Sequence, residues 1–458
     1  MKYLPLLTLL FLWSCDPEKT VTEATETSST HTEMALMDPP EWVSDAVIYE
    51  VNLRQYSEKG DFQSFTDDLE RIKDMGVDIL WFMPIFPISE KKRKGELGSY
   101  YAVSDFRGAN PEYGSMDDVD AMIKKIHDLG MYIILDWVPN HTGWDHAWIT
   151  DHPEYYTKNA DGEITDPLQD DGTPWGWTDV ADLDYDSDDM RAAMIEDMKW
   201  WLTEKNIDGF RMDVAHGVPN DFWVDCNEAL METKRCFLLA EAEIPAHRDT
   251  AGFHASYAWT YMHLSNEVAA GKKTAKDIPV YHAEDQDKIS QGFHMYFTSN
   301  HDENSWNGTV DERYGEGAQT FAAVTFLMDG MPLIYSGMEA PITKRLEFFK
   351  RDPIDWNDYA WQDFYTQLAT LKHDHPALRH GEGGGSIAFD GTTDEVLVIE
   401  RNLDDSKVIG IFNLTEETQE FSLGDLSIKS SSSMSNRDIK ESEGSVTLAP
   451  WQYIIHAQ

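Results

Sequence analysis

Short apolar or β-branched runs alternate with helix-patterned segments along most of the chain, and this alternation restricts the fold more than any other feature. The runs are Ala46 to Gln55, Val77 to Pro84, Met131 to Val138, Ile207 to Val214, Cys236 to Glu241, Gly292 to Ser299 and Met331 to Tyr335. Strand and helix alternating in this way imply a parallel sheet. Between the runs, Phe62 to Met75 and Asp189 to Lys205 carry helical spacing. In the second, Met190, Met194, Met198 and Leu202 recur every four residues, which is core packing and not a cofactor box. With a weaker eighth candidate at Tyr257 to Met262, the count predicts an α/β fold built on a closed (β/α)8 TIM barrel, its sixth unit the poorest.

The chain of 458 residues is long enough for that barrel and appendages. The barrel is expected over 39–378. The connection after the third strand is much longer than an ordinary βα loop and rich in Asp, Gly, Pro and Trp, so an inserted loop domain is expected over about 142–187. Past Leu378 the helical pattern stops. Glu395 to Ile399, Val408 to Phe412, Ser445 to Leu448 and Tyr453 to Ile455 read as strands of a C-terminal all-β sandwich over 379–458.

At the start, Met1-Lys2-Tyr3 and the apolar stretch Leu4 to Trp13 read as a signal peptide too short to span a bilayer. Its ending, Leu12-Trp13-Ser14-Cys15, resembles a bacterial lipoprotein box, in which the cysteine is lipidated and becomes the new N-terminus. The alternative is an ordinary signal with an incidental cysteine. Residues 16–38, rich in Thr, Glu and Ser, are expected to form a solvated tether. The resemblance implies a cell-envelope protein, lipid-anchored at the outer membrane and touching the bilayer only through Cys15. The remaining cysteines, Cys226 and Cys236, are expected to be separate buried thiols and not a disulfide, since a helix and the strand after it rarely bring both Cβ atoms to bonding distance.

The formal net charge of −46 would repel polyphosphate over the whole surface, so nucleic-acid partners are excluded. An uncharged substrate or bound divalent cations suit it.

In a β/α barrel the reactive groups lie at the carboxyl ends of the strands. Here those ends are acidic: Asp136-Trp137-Val138-Pro139-Asn140-His141 on the third strand, Gly209-Phe210-Arg211-Met212-Asp213 on the fourth, Leu239-Ala240-Glu241 on the fifth, and Thr298-Ser299-Asn300-His301-Asp302 on the seventh. Any one of these acids could be a helix cap or turn residue. Four converging with an arginine and two histidines are better suited to chemistry. Crowded carboxylates raise one another's pKa, so one stays protonated while another, beside Arg211, stays ionised. A proton donor and a nucleophile are what acetal cleavage needs.

These four segments resemble, in order and strand position, the signature of the α-amylase superfamily, the retaining α-glucan-active barrels. The resemblance runs from about Val47 to Pro376. It implies Asp213 as nucleophile, Glu241 as general acid/base and Asp302 as the carboxylate that grips sugar hydroxyls, with Arg211 keeping Asp213 ionised. It also implies a glucose subsite formed by Asp136, His141 and His301, with Tyr101 stacked beneath the sugar. Tyr101 as a rim aromatic covering the barrel mouth is the other reading. The long third loop matches the family's inserted domain, and Val180-Ala181-Asp182-Leu183-Asp184 resembles the segment before a structural calcium site. Asn140 and Asp182 are then the implied ligands of calcium, against their reading as plain turn residues. Trp144, Trp175 and Trp177 read either as sugar platforms or as staples of an irregular loop.

Two departures stand out. Many members carry Lys-His three and four residues after the nucleophile, where this chain has His216 and Gly217. Glu241 is followed by Ala242-Glu243, where an aromatic is common, which makes Glu243 a second acid to place. The resemblance implies hydrolysis of α-glucosidic bonds, α-1,4 before α-1,6, in starch-like glucans or maltooligosaccharides, with no organic cofactor. A transglycosylase on the same fold and a non-catalytic glucan-binding subunit are the alternatives.

Overall fold

The computed structural model describes residues 38–169, 172–356, 359–424, 426, 433–442 and 444–458. The signal segment, Cys15 and residues 16–37 of the expected tether lie outside these. Eight strands close into an all-parallel barrel: β1 Ile48–Val51, β2 Ile79–Phe82, β3 Tyr132–Trp137, β4 Gly209–Met212, β5 Phe237–Ala240, β6 Ala255–Tyr257, β7 Phe293–Tyr296 and β8 Met331–Tyr335. Neighbours around the ring are neighbours in this order, and β1 pairs with β8 to close it. Alternate residues point to opposite faces of a strand. Ile48, Ile79, Trp81, Ile134, Leu239, Met295 and Leu333 therefore fill the interior, while Tyr49, Leu80, Ile133 and Leu238 pack against the surrounding helices.

The helix read from the Met190, Met194, Met198 and Leu202 stripe spans Asp188–Thr203, with Ser187 capping its first turn and all four residues buried. The run Phe62 to Met75 divides into two short helices, Phe62–Asp67 and Leu69–Asp74. The break falls at Asp68, whose carboxylate takes the hydroxyl of Tyr56 and the guanidinium of Arg71. The sixth strand is misplaced in the sequence reading. It is Ala255–Tyr257, three residues long, and most of Tyr257 to Met262 belongs to the helix Trp259–Ala269. A strand that short leaves no period for a pattern to register.

The insert after β3 is pinned at its base by a two-stranded antiparallel ribbon, His141–Gly143 with Val180–Asp182. C-terminal strands form a five-stranded and a three-stranded sheet. Val398, Ile411 and Ile454 from the first pack against Phe421, Val446 and Leu448 from the second. Buried Arg401 joins this unit to the barrel by donating to the carbonyls of Leu327 and Met328, and holds the connection between them through those of Arg379 and Gly385. Cys226 and Cys236 are free and buried, as expected. Among the described residues no helix is long and apolar enough to cross a membrane.

Candidate active site

Barrel register brings the acids together. Asp136 in β3 lies opposite Arg211 in β4, and Asp213, two residues beyond Arg211, shares its face. Glu241 follows β5 directly. The Arg211 side chain is fully buried, and its Nη1 donates to Asp136 Oδ1 and to Asp213 Oδ1, each at 2.8 Å. Nη2 lies 2.9 Å from Glu241 Oε2, close enough for charge attraction but outside hydrogen-bond alignment. Nε donates to the hydroxyl of Tyr257 at 3.0 Å. One guanidinium thus holds three carboxylates.

Three acids on one cation leave an excess of negative charge in a dry site. Burial pushes the Asp136 carboxyl up to about 6, against the pull of Arg211. The same cause, reinforced by Glu241 and Asp136, holds Asp213 well above the usual carboxylate range. Arg211 opposes that rise without cancelling it, so the unliganded cluster retains a proton more readily than isolated carboxylates would.

The backbone contributes as well. Val214 is held in the left-handed region at φ 45°, ψ 44°, a conformation costly for a β-branched residue. There its N–H points at Glu241 and donates to Oε2 at 2.7 Å. Strain beside Asp213 therefore fixes the carboxylate that faces it.

A cleft of about 480 Å³ opens over the cluster, with Asp213, Glu241, Asp302, Tyr101, His141 and His301 among its lining residues. Asp136 and Arg211 lie beneath, fully buried. The Tyr101 hydroxyl is within 3.1 Å of Asp136 Oδ2 and 2.7 Å of His301 Nε2, which fixes the ring at the base of the cleft. Burial keeps His141 neutral by lowering it to about 4. Two aromatic walls face the opening. From the insert come Trp175, 47% exposed, and Trp177, stacked on it at 5.4 Å. From the loops after β7 and β8 come Trp306, 52% exposed, and Phe348. Trp144 is a staple: buried, it donates to the Thr178 carbonyl and lies under the Lys92 ammonium.

Other expected residues fall outside the cleft. Asn140 and Asp182 lie at the root of the insert, where Leu183 N–H donates to the Asn140 carbonyl. Burial pushes Asp182 up to about 6, with Asp184 and Asp166 adding to it. The donors are oxygens, as calcium requires. Among the described residues, however, no three His, Cys, Asp or Glu side chains are grouped as a metal site. A Cβ on Gly217 would come within 2.7 Å of Asn140 Oδ1, so the amide occupies the space a side chain would fill there. Glu243 is a cap, accepting from the backbone and hydroxyl of Thr260 in the first turn of the next helix. Sequence reading missed Glu50, Tyr257, Trp306 and Phe348. For Glu50 a signal existed: it is the one charged residue in the apolar run Ala46 to Val51.

The family description "Alpha amylase, catalytic domain" matches residues 29–380. Alpha-amylase MalA of Haloarcula japonica is 28% identical over 401 residues, covering 83% of this chain and 57% of that protein, so the chain spans little more than half of that relative. Probable oligo-1,6-glucosidase 3 of Bacillus subtilis is 25% identical, with 66% of each protein covered. Among solved structures, an alpha-amylase from Lactobacillus plantarum superposes with a TM-score of 0.76 at 29% identity, covering 90% of this chain and 99% of that one.

Proposed function

The chain belongs to the family of alpha-amylase catalytic domains, and from that membership we propose that it is a retaining glycoside hydrolase cleaving α-glucosidic bonds, chiefly α-1,4, in starch-like glucans or maltodextrins. One observation carries the reading: Asp213 and Glu241, at the ends of adjacent strands, are held by the same buried guanidinium at the floor of an aromatic-walled cleft. Asp213 attacks the anomeric carbon as Glu241 protonates the leaving oxygen. Asp302 and His301 hold the hydroxyls of the sugar between them. Water, deprotonated by Glu241, then releases the sugar. Two inversions return the α-configuration, which requires the carboxyl groups to be about 5 to 5.5 Å apart. NMR of the first-formed product from maltooligosaccharides is expected to show the α-anomer, and a β-anomer before mutarotation overturns the reading.

A second specificity, α-1,6 cleavage, is favoured by the likeness to an oligo-1,6-glucosidase. Chromatography of products from starch, pullulan, maltooligosaccharides and isomaltose separates the two, and disaccharide acceptors reveal transglycosylation.

Calcium enters this reading as a brace and not as a reagent. Asn140 and Asp182 would hold it, neutralising a half-buried carboxylate and fastening the insert to the end of β3. Added calcium is expected to raise Tm by a few degrees in the wild type and not in Asp182→Asn, an order set by the stabilisation that binding confers. Equal shifts in both remove calcium from this position. The envelope location rests on the signal segment Met1 to Trp13, the Leu12 to Cys15 ending and the tether after it. On membrane fractionation the wild type is expected to pellet and Cys15→Ala to be released, and equal partitioning refutes the anchor.

A further inference from the structure

Glu50 lies in the middle of β1, and the period of the strand puts it on the same inward face as Ile48. It is fully buried, flanked in register by Trp81 of β2 and Tyr335 of β8. Nothing in the hydrolytic scheme above uses it. Oε1 accepts from His301 Nδ1 and, at 3.4 Å, from the His301 backbone N–H, whereas Oε2 is buried without a partner. Burial pushes its carboxyl up while His301 and Arg211 pull it down, and ionised in such a place an acid is costly unless it faces a cation.

The hydrogen-bond pattern around His301 supplies that cation. Nδ1 lies 2.5 Å from Glu50 Oε1, and an ionised Glu50 in that contact places the proton on Nδ1. Nε2 faces the Tyr101 hydroxyl at 2.7 Å and Asp302 Oδ2 at 3.2 Å. The Tyr101 hydroxyl also reaches Asp136 Oδ2 at 3.1 Å, and with its proton given there it offers Nε2 lone pairs, as the ionised Asp302 carboxylate does. A proton on Nε2 satisfies both of these neighbours. A ring with both nitrogens protonated is an imidazolium.

We propose that Glu50 is a positioning residue that keeps His301 charged and turned toward Asp302 and Tyr101, so that the sugar-facing side of the cleft works with a cation between its carboxylates. The titratable and charged groups facing His301 are Glu50 from β1, Tyr101, which burial keeps neutral, from the connection after β2, Asp136 from β3, Arg211 from β4 and its own neighbour Asp302. Tyr257 and Tyr335 flank Glu50. Burial alone would lower the His301 pKa, but Asp302 and Glu50 outweigh burial and the opposing Arg211, and hold it up at about 9. Raised above its unfolded value, the group keeps its charge across neutral pH and loses it as pH rises through the folded value. Activity that depends on the imidazolium falls on that alkaline limb.

The meaning of the pH profile rests on the hydrolase reading, but the charge state of His301 does not. Histidine-selective 15N NMR of the wild type, with the signal assigned by its loss in His301→Asn, is expected to show both ring nitrogens protonated at pH 7.5. A neutral ring at that pH overturns the proposal whether or not the protein hydrolyses glucans. In Glu50→Gln, which keeps the shape and an acceptor oxygen but removes the charge, the His301 titration and the alkaline limb of kcat/KM should both move down by about one pH unit or more. That is about a tenfold change in the charged fraction per unit on the alkaline side, with the smallest loss of rate at the acid end. An unchanged titration or an unmoved alkaline limb makes Glu50 a packing residue and refutes the role.

Discussion

Replacing Asp213 by Asn is expected to lower turnover of maltooligosaccharides by about 10⁴-fold or more, some 5.5 kcal/mol of barrier, because the amide cannot form the glycosyl-enzyme. The fold should survive. Asn Oδ1 can still accept from Arg211 Nη1, and that guanidinium keeps Asp136 at 2.8 Å and Glu241 at 2.9 Å. Burial raises the Asp213 pKa in the folded state, so its ionised form works against folding at any pH above the ordinary carboxylate range. A neutral side chain there should leave Tm unchanged or higher. Calorimetry and steady-state kinetics on the same preparation test both halves. Residual activity within about tenfold of the wild type, a barrier change of only about 1.4 kcal/mol, would remove Asp213 as nucleophile.

The Glu241→Gln change should cost about 10² to 10⁴ on natural glucans, the usual contribution of a positioned acid, but its signature is selectivity. Gln can still accept from the Val214 N–H that now donates to Glu241 at 2.7 Å, so the strained turn has no reason to relax. What it lacks is the proton for the leaving oxygen and the base for the incoming water. An α-glycosyl fluoride needs no proton to depart, and azide needs no base to attack. With both supplied, Glu241→Gln should recover much of its rate and release the α-glycosyl azide, because two displacements still occur on Asp213. Asp213→Asn with the same reagents should give the β-azide, from a single displacement. Failure of fluoride and azide to distinguish the two variants would mean that Glu241 serves only to pair Arg211.

Between sequence and structure, the acids at the carboxyl ends of the strands were the most legible part. Asp136, Asp213, Glu241 and Asp302 each lie near or just past the carboxyl end of a run long enough to read as a strand, and in a barrel that position aims a side chain toward the mouth. The Met190 to Leu202 stripe was legible for a similar reason, since a helix writes its buried face at a fixed local period. The sixth strand was not, because Ala255–Tyr257 is too short to carry a period and is followed by an apolar helix. Trp144 could not be separated from Trp175 by sequence. Both are tryptophans in the same insert, and only Lys92 over one ring and open cleft beside the other tell them apart.

Residue type and local spacing therefore determined the barrel, the appended strands and the identity of the acids, because each of these depends on neighbours a few positions away. Pairings closed across the ring were decided only by tertiary structure. Glu50 meets His301 across 251 positions, and Arg211 meets Asp136 across 75. Trp306 reaches Phe348 from a different loop, and the left-handed Val214 meets Glu241 from the next strand. No local pattern encodes which buried charge faces which: that follows from strand register and closure, and it sets the protonation of the site.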